Sequence, residues 1–278
     1  MTTEHNWRAD GTAANRRHWD SVTPVHVKSR MYDVEGFLAT KRGHYAFVKA
    51  EVGDVDGKRL LHLQCHFGME TLLWEWLGAE VTGLDFSEVA IAQARDLARR
   101  AKLKAQFIVG DVLDPESVPA SKFDVVFTSF GVLCWLGDLS RWAATISRAL
   151  KPGGVFHIFE FHPVIDSLSY NRTIRRDNLP VIEHPYFYNE RPSIDTAGAD
   201  YADPTHVSND ATYEWHHAVS EVMAALKAAG LRVTEFKEYP YTVYQARDGM
   251  VRGQDGLWRM PAGVPELPLT YYLRAEKP

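Results

Sequence analysis

The chain has 278 residues, of which 45% are hydrophobic and 24% are charged, as in an ordinary globular protein that can bury a full core. Its formal net charge of −5 argues against nucleic acid or an anionic membrane as the main partner, because both favour basic proteins. Two cysteines in this length argue against a disulfide framework. The polar first residues and the lack of a long apolar run predict a cytoplasmic protein without a membrane span.

The first part of the chain predicts alternating strands and helices. Residues 1–12 are expected to be disordered or frayed, and residues 13–52 carry helical stretches. Strands are predicted at 59–64, 80–85, 105–109, 123–129 and 155–160, with helices at 71–78, after Ser87 as N-cap, and at 138–150. This alternation implies a parallel sheet with helices on both faces.

The regular pattern stops after His162 and resumes near residue 215. Residues 163–213 are expected to form an insertion, with extra strands within 183–191 and 200–213. A helix at about 215–229 then precedes strands at 231–239 and 267–275. A long irregular insertion in a compact fold is usually a lid or a binding wall. We therefore expect an N-terminal helical lid at 1–40 and a main domain at 41–278 that carries the insertion.

The turn after the first predicted strand has the layout of a nucleotide-type cofactor site. An apolar run enters Gln64-Cys65-His66-Phe67-Gly68, and the second strand ends on Asp85. Asp85 follows Gln64 by about 20 residues, the offset of a carboxylate that binds ribose hydroxyls. Gly68 stands alone where such turns usually have two or three glycines.

Five stretches in this order resemble the motifs of class I S-adenosylmethionine (SAM) dependent methyltransferases. They are Leu61-His62-Leu63-Gln64-Cys65-His66-Phe67-Gly68, Asp85, Gly110-Asp111-Val112, Phe123-Asp124-Val125-Val126 and Leu150-Lys151-Pro152-Gly153-Gly154. The first departs from the family, because His62 replaces an aspartate and Gln64 and His66 replace glycines. The resemblance is sharp over residues 59–160. It implies SAM as cofactor and a Rossmann-like three-layer α/β sandwich, with a seven-stranded, mostly parallel sheet and an antiparallel last strand.

The resemblance also assigns expected cofactor contacts. Asp85 would accept both ribose hydroxyls, Asp111 would accept from the adenine amino group, and the Val112 N–H would donate to a ring nitrogen. Gly68 would be the one turn position where a side chain does not fit, and Cys65 would be a small packing residue. His62 is open between a buried structural histidine and a functional one. The full expected set is Gln64, Cys65, His66, Gly68, Thr71, Asp85, Phe86, Ser87, Gly110, Asp111, Val112, Ser129 and Phe130.

The acceptor is expected above the ends of the fourth and fifth strands. His162 and His216 are the candidate general bases, with His217 beside them. Trp19, Tyr32, Trp135 and Tyr213 are the expected acceptor contacts, which suit a flat aromatic or heterocyclic molecule. No metal is expected, because the sequence after the fourth strand lacks the acidic metal-binding pattern.

The sequence thus predicts a metal-independent SAM-dependent methyltransferase that acts on oxygen or nitrogen of a small molecule, as a monomer or homodimer. Two alternatives stay open. One is a protein that binds SAM or its product without catalysis, suggested by the altered turn. The other is a dinucleotide-binding oxidoreductase, which would need the Gly-x-Gly-x-x-Gly pattern that this turn lacks.

Overall fold

A computed structural model describes residues 6–43, 46–168, 181–196 and 198–278. Its helices are α1 (Trp7–Lys28), α2 (Val34–Thr40), α3 (Ala46–Val52), α4 (Met69–Trp76), α5 (Glu88–Ala101), α6 (Leu139–Ala149), α7 (Pro163–Asp166) and α8 (Val219–Ala228). Its longer strands are β1 (Arg59–Leu63), β2 (Glu80–Asp85), β3 (Gln106–Val109), β4 (Phe123–Thr128), β5 (Leu150–Phe161), β10 (Arg232–Tyr239) and β13 (Thr270–Glu276). Short strands are β6 (Ser193–Asp195), β7 (Gly198–Ala199), β8 (Val207–Ser208), β9 (Thr212–Glu214), β11 (Val251–Arg252) and β12 (Trp258–Arg259).

Over the described residues, the seven longer strands form one sheet in the order β10-β13-β5-β4-β1-β2-β3. The pairs from β5 to β3 are parallel, while β13 is antiparallel to both β5 and β10. The predicted fold class is therefore confirmed, including the antiparallel last strand. The chain order reverses between β1 and β4, and ligands of such sheets bind beyond the carboxyl ends of the strands at that point.

The sheet is covered on both faces because its strand residues alternate between two cores. Leu61 and Leu63 of β1 join a cluster with Ile146 of α6, while Leu60 joins a cluster with Trp74 of α4. A further cluster packs α2 against the outer helices through Phe37. No helix among the described residues has both the length and the apolar character needed to cross a membrane.

The prediction of disorder for residues 1–12 was wrong for residues 7–12, because α1 begins at Trp7, while residues 1–5 lie outside the described residues. The side chain of Asn6 accepts the Ala9 N–H, which satisfies one free donor of the first turn. Gly11 packs so closely on Trp215 that an added Cβ would lie 2.4 Å from the indole ring. Contact with a distant part of the chain therefore stabilises a segment whose local sequence favours fraying.

Other boundaries differ by a few residues, mainly after β5. Strand β5 begins at Leu150 and includes the predicted turn at 151–154. Helix α8 begins at Val219 rather than at Trp215, because the Trp215 N–H donates to the Cys134 carbonyl instead. In the insertion, β6 pairs with β9 and β7 with β8, while the described residues of 183–191 form no strand.

Candidate functional site

The turn between β1 and α4 keeps a glycine-type backbone without the glycines. Gln64 has φ 53° and His66 has φ 51°, both in the left-handed region, and Gly68 has φ 82°. Left-handed backbone costs a non-glycine residue about 1–2 kcal/mol. Strain of this kind persists where the surrounding structure enforces it and is concentrated at functional sites.

Gly68 is required by the packing of the turn. A Cβ at this position would lie 2.8 Å from the Phe107 ring on β3 and 3.0 Å from the Ala94 Cβ on α5. The glycine therefore lets the turn and the start of α4 approach β3 and α5. This close approach places the turn at the carboxyl ends of β1 and β2.

Asp85 holds the turn in place from the end of β2. Its Oδ2 accepts the His66 N–H at 2.8 Å, and its Oδ1 accepts the Ser87 N–H at 2.9 Å. Burial raises the pKa of Asp85 to about 6, with backbone N–H donors opposing the rise and Asp20 adding to it. Asp20 of α1 accepts the Ser87 hydroxyl at 2.6 Å. Each Asp85 oxygen retains a lone pair with which it can accept a ligand hydroxyl.

Gln64 presents an unsatisfied polar atom in the same turn. Its Nε2 donates to the Val132 carbonyl at 3.0 Å, which ties the turn to the loop after β4. Its Oε1 is buried and has no hydrogen-bond partner among the described residues. A buried acceptor without a partner costs stability, so a cationic or N–H-bearing ligand group there would be bound favourably.

His62 belongs to a buried hydrogen-bonded group beneath the turn. Its Nδ1 lies 2.9 Å from the Thr71 hydroxyl, and its Nε2 lies 3.2 Å from the Ser129 hydroxyl. Ser129 also donates to the Glu70 carboxylate. Burial lowers the pKa of His62 to about 3, so the imidazole is neutral. The residue that replaces the family's aspartate therefore joins β1, α4 and the end of β4.

The remaining expected cofactor residues line the edge of the sheet around this turn. Cys65 packs against β2, where a Cβ on Gly83 would meet its Sγ at 2.7 Å. The Asp111 carboxylate accepts the Leu113 N–H at 2.8 Å, and Ser87 caps α5 by accepting the Ala90 N–H. Gly110, Val112, Phe86 and Phe130 complete the set. The Gly110 N–H donates to the Asp85 carbonyl, and the Val112 side chain is buried. The Arg16 guanidinium lies over the Phe86 ring. The Phe130 ring stacks on Phe161.

The loop after β4 is fixed by a buried carboxylate at the end of β5. Glu160 accepts the N–H groups of Gly131, Val132 and Leu133, the last two at 2.9 Å each. Burial raises the pKa of Glu160, and these N–H donors oppose the rise. The loop is thereby held rigid where the acceptor is expected.

Three of the four expected acceptor residues meet above the turn. Trp19 lies edge-on to Trp135 with ring centroids 5.3 Å apart, and at the same distance from His66. The Tyr32 ring lies 5.7 Å from His66. The fourth residue, Tyr213, is joined to α1 by its backbone. Its N–H donates to Asn15 Oδ1 and its carbonyl accepts from Asn15 Nδ2, each at 2.8 Å. The aromatic cluster of Trp19, Tyr32, Trp135 and His66 thus covers the turn from above.

Sequence reasoning missed four residues of this region, namely His18, His26, Asp200 and Tyr201. His26 Nε2 lies 2.7 Å from Asp200 Oδ2, and the Tyr201 hydroxyl lies 3.4 Å from His26 Nδ1. The His18 ring is stacked on Trp135 at 6.3 Å. Helical spacing from Trp19 through Val22 and Thr23 to His26 would have indicated that His26 shares a face with Trp19. Asp200 and Tyr201 had no such pattern.

The candidate bases from the sequence lie apart from this cluster. His162 N-caps α7 by accepting the Val164 N–H at 3.2 Å, and its Nε2 lies 3.0 Å from Glu238 of β10. Burial lowers the pKa of His162, which Glu238 opposes. His216 lines a cavity of about 230 Å³ together with Glu214 and Arg191, and its ring stacks on His184. Among the described residues, His217 forms no hydrogen bond with the cluster. Its Nε2 lies 2.7 Å from the Leu136 carbonyl oxygen. Within the described residues, no three His, Cys, Asp or Glu side chains gather into a group that could hold a metal ion.

Comparison with known proteins matches residues 61–158 to a family model described as "Methyltransferase domain". The malonyl-[acyl-carrier protein] O-methyltransferase of Serratia marcescens is 30% identical over 99 residues, 36% of each chain. The sterol 24-C-methyltransferase of Saccharomyces cerevisiae is 28% identical over 136 residues, 48% of this chain and 35% of the relative. The match spans about a third of the length of these curated relatives.

Solved structures share the fold over most of the chain. The putative S-adenosylmethionine dependent methyltransferase of Listeria monocytogenes has a TM-score of 0.60 at 16% sequence identity. The alignment covers 84% of this chain and 97% of that one. At this identity the likeness supports the fold alone.

Proposed function

We propose, from the match of residues 61–158 to a methyltransferase domain and from the shared fold, that the chain is a class I SAM-dependent methyltransferase that methylates oxygen or nitrogen of a small, flat molecule. The observation that carries the proposal is the position of His66. The backbone N–H of His66 donates to Asp85 Oδ2 at 2.8 Å, and the centroid of its ring lies 5.3 Å from that of Trp19. One residue therefore joins the predicted cofactor site to the aromatic cluster where an acceptor would lie.

The residues of the turn fit SAM. The paired oxygens of Asp85 suit the two ribose hydroxyls, and the unpartnered Gln64 Oε1 suits the ammonium group of the amino-acid tail. Asp111 lies at the end of β3, where the adenine is expected. When bound, SAM supplies an electrophilic methyl group on a good leaving group, so the protein mainly has to align the acceptor and exclude water.

The aromatic cluster and α1 are suited to those two tasks. The perpendicular rings of Trp19 and Trp135 form an apolar corner that would hold a flat acceptor in one orientation. Helix α1 lies over the turn and contacts α5 and β9, so it would act as the lid predicted for residues 1–40. A closed lid excludes water from the reacting atoms.

Oxygen and nitrogen acceptors are favoured by the proton-accepting groups beside the cluster. An O–H or N–H acceptor must lose a proton when it is methylated, and imidazole and phenol groups can take part in that transfer. The curated relatives do not choose the atom, because one is named for methylation of oxygen and the other for methylation of carbon.

We test the cofactor site by substituting Asp85 with alanine. The affinity for S-adenosylhomocysteine, measured by calorimetry, should fall by about 1–3 kcal/mol, the scale of a lost hydrogen bond to a charged group. Asp54→Ala is the matched control, because this exposed carboxylate lies in the turn before β1. Equal affinities of Asp85→Ala and the unaltered chain would contradict the proposed ribose contact.

A further inference from the structure

A buried histidine–carboxylate pair joins α1 to the insertion beside the cofactor turn. His26 and Asp200 have side chains that are 0% and 3% exposed, and the atoms Nε2 and Oδ2 lie 2.7 Å apart. The other Asp200 oxygen accepts the N–H groups of Ala202 at 2.8 Å and Asp203 at 2.9 Å, which fixes the carboxylate. A fixed carboxylate opposite Nε2 favours the neutral tautomer with its proton on that nitrogen.

The other imidazole nitrogen connects to two tyrosines. His26 Nδ1 lies 3.4 Å from the Tyr201 hydroxyl, which lies 2.5 Å from the Tyr32 hydroxyl. Tyr32 packs against the cofactor turn, with ring centroids 4.8 Å from Phe67 and 5.7 Å from His66. Tyr201 is 49% exposed, while its hydroxyl lies between His26 and Tyr32, so Tyr32 is the member of the chain that faces the aromatic cluster.

We propose that Asp200, His26, Tyr201 and Tyr32 form a proton relay that takes the proton lost by the acceptor. This inference rests on the proposed methyl transfer. As the bond from the acceptor atom to the methyl carbon forms, the carbon–sulfur bond breaks and its electron pair stays on sulfur. The acceptor proton passes to the Tyr32 oxygen, the Tyr32 hydroxyl proton passes to the Tyr201 oxygen, and the Tyr201 hydroxyl proton passes to His26 Nδ1, which becomes an imidazolium paired with Asp200. Tyr32 touches the acceptor, whereas Tyr201, His26 and Asp200 are positioning residues that act through it.

The surroundings of His26 favour a neutral imidazole that can receive a proton. Burial lowers the pKa of His26, with Asp200 opposing and His206 of the insertion adding to the fall. His18 on the same helix and His66 on the turn also have a pKa that burial lowers. Burial raises the pKa of Tyr32 and of Tyr201, so both stay protonated and able to donate.

The tautomer of His26 can be measured without any acceptor. In the full chain with S-adenosylhomocysteine, nitrogen-15 shifts of the imidazoles are recorded near neutral pH and assigned by comparison with His26→Gln. The relay requires a neutral ring with its proton on Nε2. A permanently charged imidazolium, as in a purely structural ion pair, or a proton on Nδ1 would overturn it. This result stands apart from the outcome of any transfer assay.

The role of the tyrosine is tested with Tyr201→Phe, which removes only the hydroxyl. Transfer to a phenol should fall about 100-fold in kcat with little change in KM, the scale of lost acid–base assistance. Transfer to the ring nitrogen of a pyridine, a flat acceptor that loses no proton, should be unchanged. Tyr188→Phe is the control, because this tyrosine of the same insertion bonds Arg8 and the Gly137 carbonyl outside the relay.

Equal losses of Tyr201→Phe on both acceptors, or no loss on the phenol, would overturn the relay. A wild-type chain that methylates no acceptor would instead overturn the proposed methyl transfer, and the relay with it. The nitrogen-15 measurement on His26 separates these two failures.

Discussion

The turn at residues 64–68 combines a strained backbone with tight packing. The sequence predicted that a side chain would not fit at Gly68, and the structure supplies the reason in Phe107 and Ala94. That reason could not be read from the sequence, because both contacts come from elements that reach the turn only after folding. The left-handed φ of Gln64 and His66 was likewise open until the backbone path was known.

The packing requirement at Gly68 predicts a large stability effect. Gly68→Ala should lower the free energy of unfolding by about 2–5 kcal/mol, since left-handed backbone costs about 1–2 kcal/mol and overpacking costs about 1–3 kcal/mol. Gly53→Ala is the matched control, because Gly53 has φ 76° with nothing within 4 Å of an added Cβ. It should lose only the backbone part, about 1–2 kcal/mol. Urea unfolding measures the free energy of unfolding of both variants. Equal losses of stability in Gly68→Ala and Gly53→Ala would refute the packing role of Gly68.

Glu214 gives a pH-dependent prediction at a single side chain. Burial, with Asp166 and Asp195 nearby, raises its pKa to about 7 from an ordinary value of 4.5. At a pH between these two pKa values, Glu214 keeps its proton in the folded chain and has lost it in the unfolded chain. Stability contributed by the protonated carboxyl is therefore complete below about pH 4.5 and is lost as the pH rises through about 7.

The variant Glu214→Gln cannot ionise, so it escapes this loss. Its unfolding free energy should match that of the unaltered chain near pH 4.5 and exceed it by about 3–4 kcal/mol near pH 8, at about 1.4 kcal/mol per pKa unit. Glu266→Gln, at an exposed position, is the control. Denaturant titrations between pH 4.5 and pH 8 measure the unfolding free energies. If Glu214→Gln and the unaltered chain differed by the same amount at every pH, ionisation of the Glu214 carboxyl would be ruled out as the cause.

At the scale of elements, the strands of the central sheet were predictable, whereas the start of helix α1 and its contacts were not. Strands β2 and β4 have β-branched patterns, and the helices that follow them, α5 and α6, have N-caps, Ser87 and Asp138, that the sequence shows. Helix α1 contains Gly11 and Pro24, and contacts with Trp215 and Tyr213 stabilise its first half. The candidate site residues His26 and Asp200 were missed for the same reason, because their meeting depends on how the insertion folds over α1.

Helix α1, the proposed lid, can be separated from the core by deletion of residues 1–28. One of the three core clusters draws on α2 through Val34 and Phe37, whereas α1 adds only Val27 at the margin of that cluster and its buried residues Ala14 and Val22 belong to none. The truncated chain should therefore keep a cooperative unfolding transition and lose methyl transfer. Circular dichroism on heating and a transfer assay check the two halves of this prediction. Turnover at the level of the full chain would exclude a lid role for α1.

At the scale of the whole molecule, the site lies where the sheet reverses its chain order. The turn after β1, Asp85 at the end of β2 and the loop after β4 meet at the carboxyl edge of the sheet, and α1 with the insertion covers them. The sequence predicted the residues of the proposed cofactor half, because they follow strands whose order the motif pattern implies. The proposed acceptor half comes from α1, the loop after β4 and the insertion, and no sequence pattern shows that these three segments meet.

The most direct test of this account is the fate of a labelled methyl group. The full chain is incubated with SAM that carries an isotopic label in its methyl group, together with a panel of small phenols, heterocycles and amines. Mass spectrometry should find the label on oxygen or nitrogen of an acceptor, with an equal amount of S-adenosylhomocysteine formed, and Asp85→Ala should form far less product. Tight binding of S-adenosylhomocysteine without any labelled product, or a label found only on carbon, would contradict the proposed function.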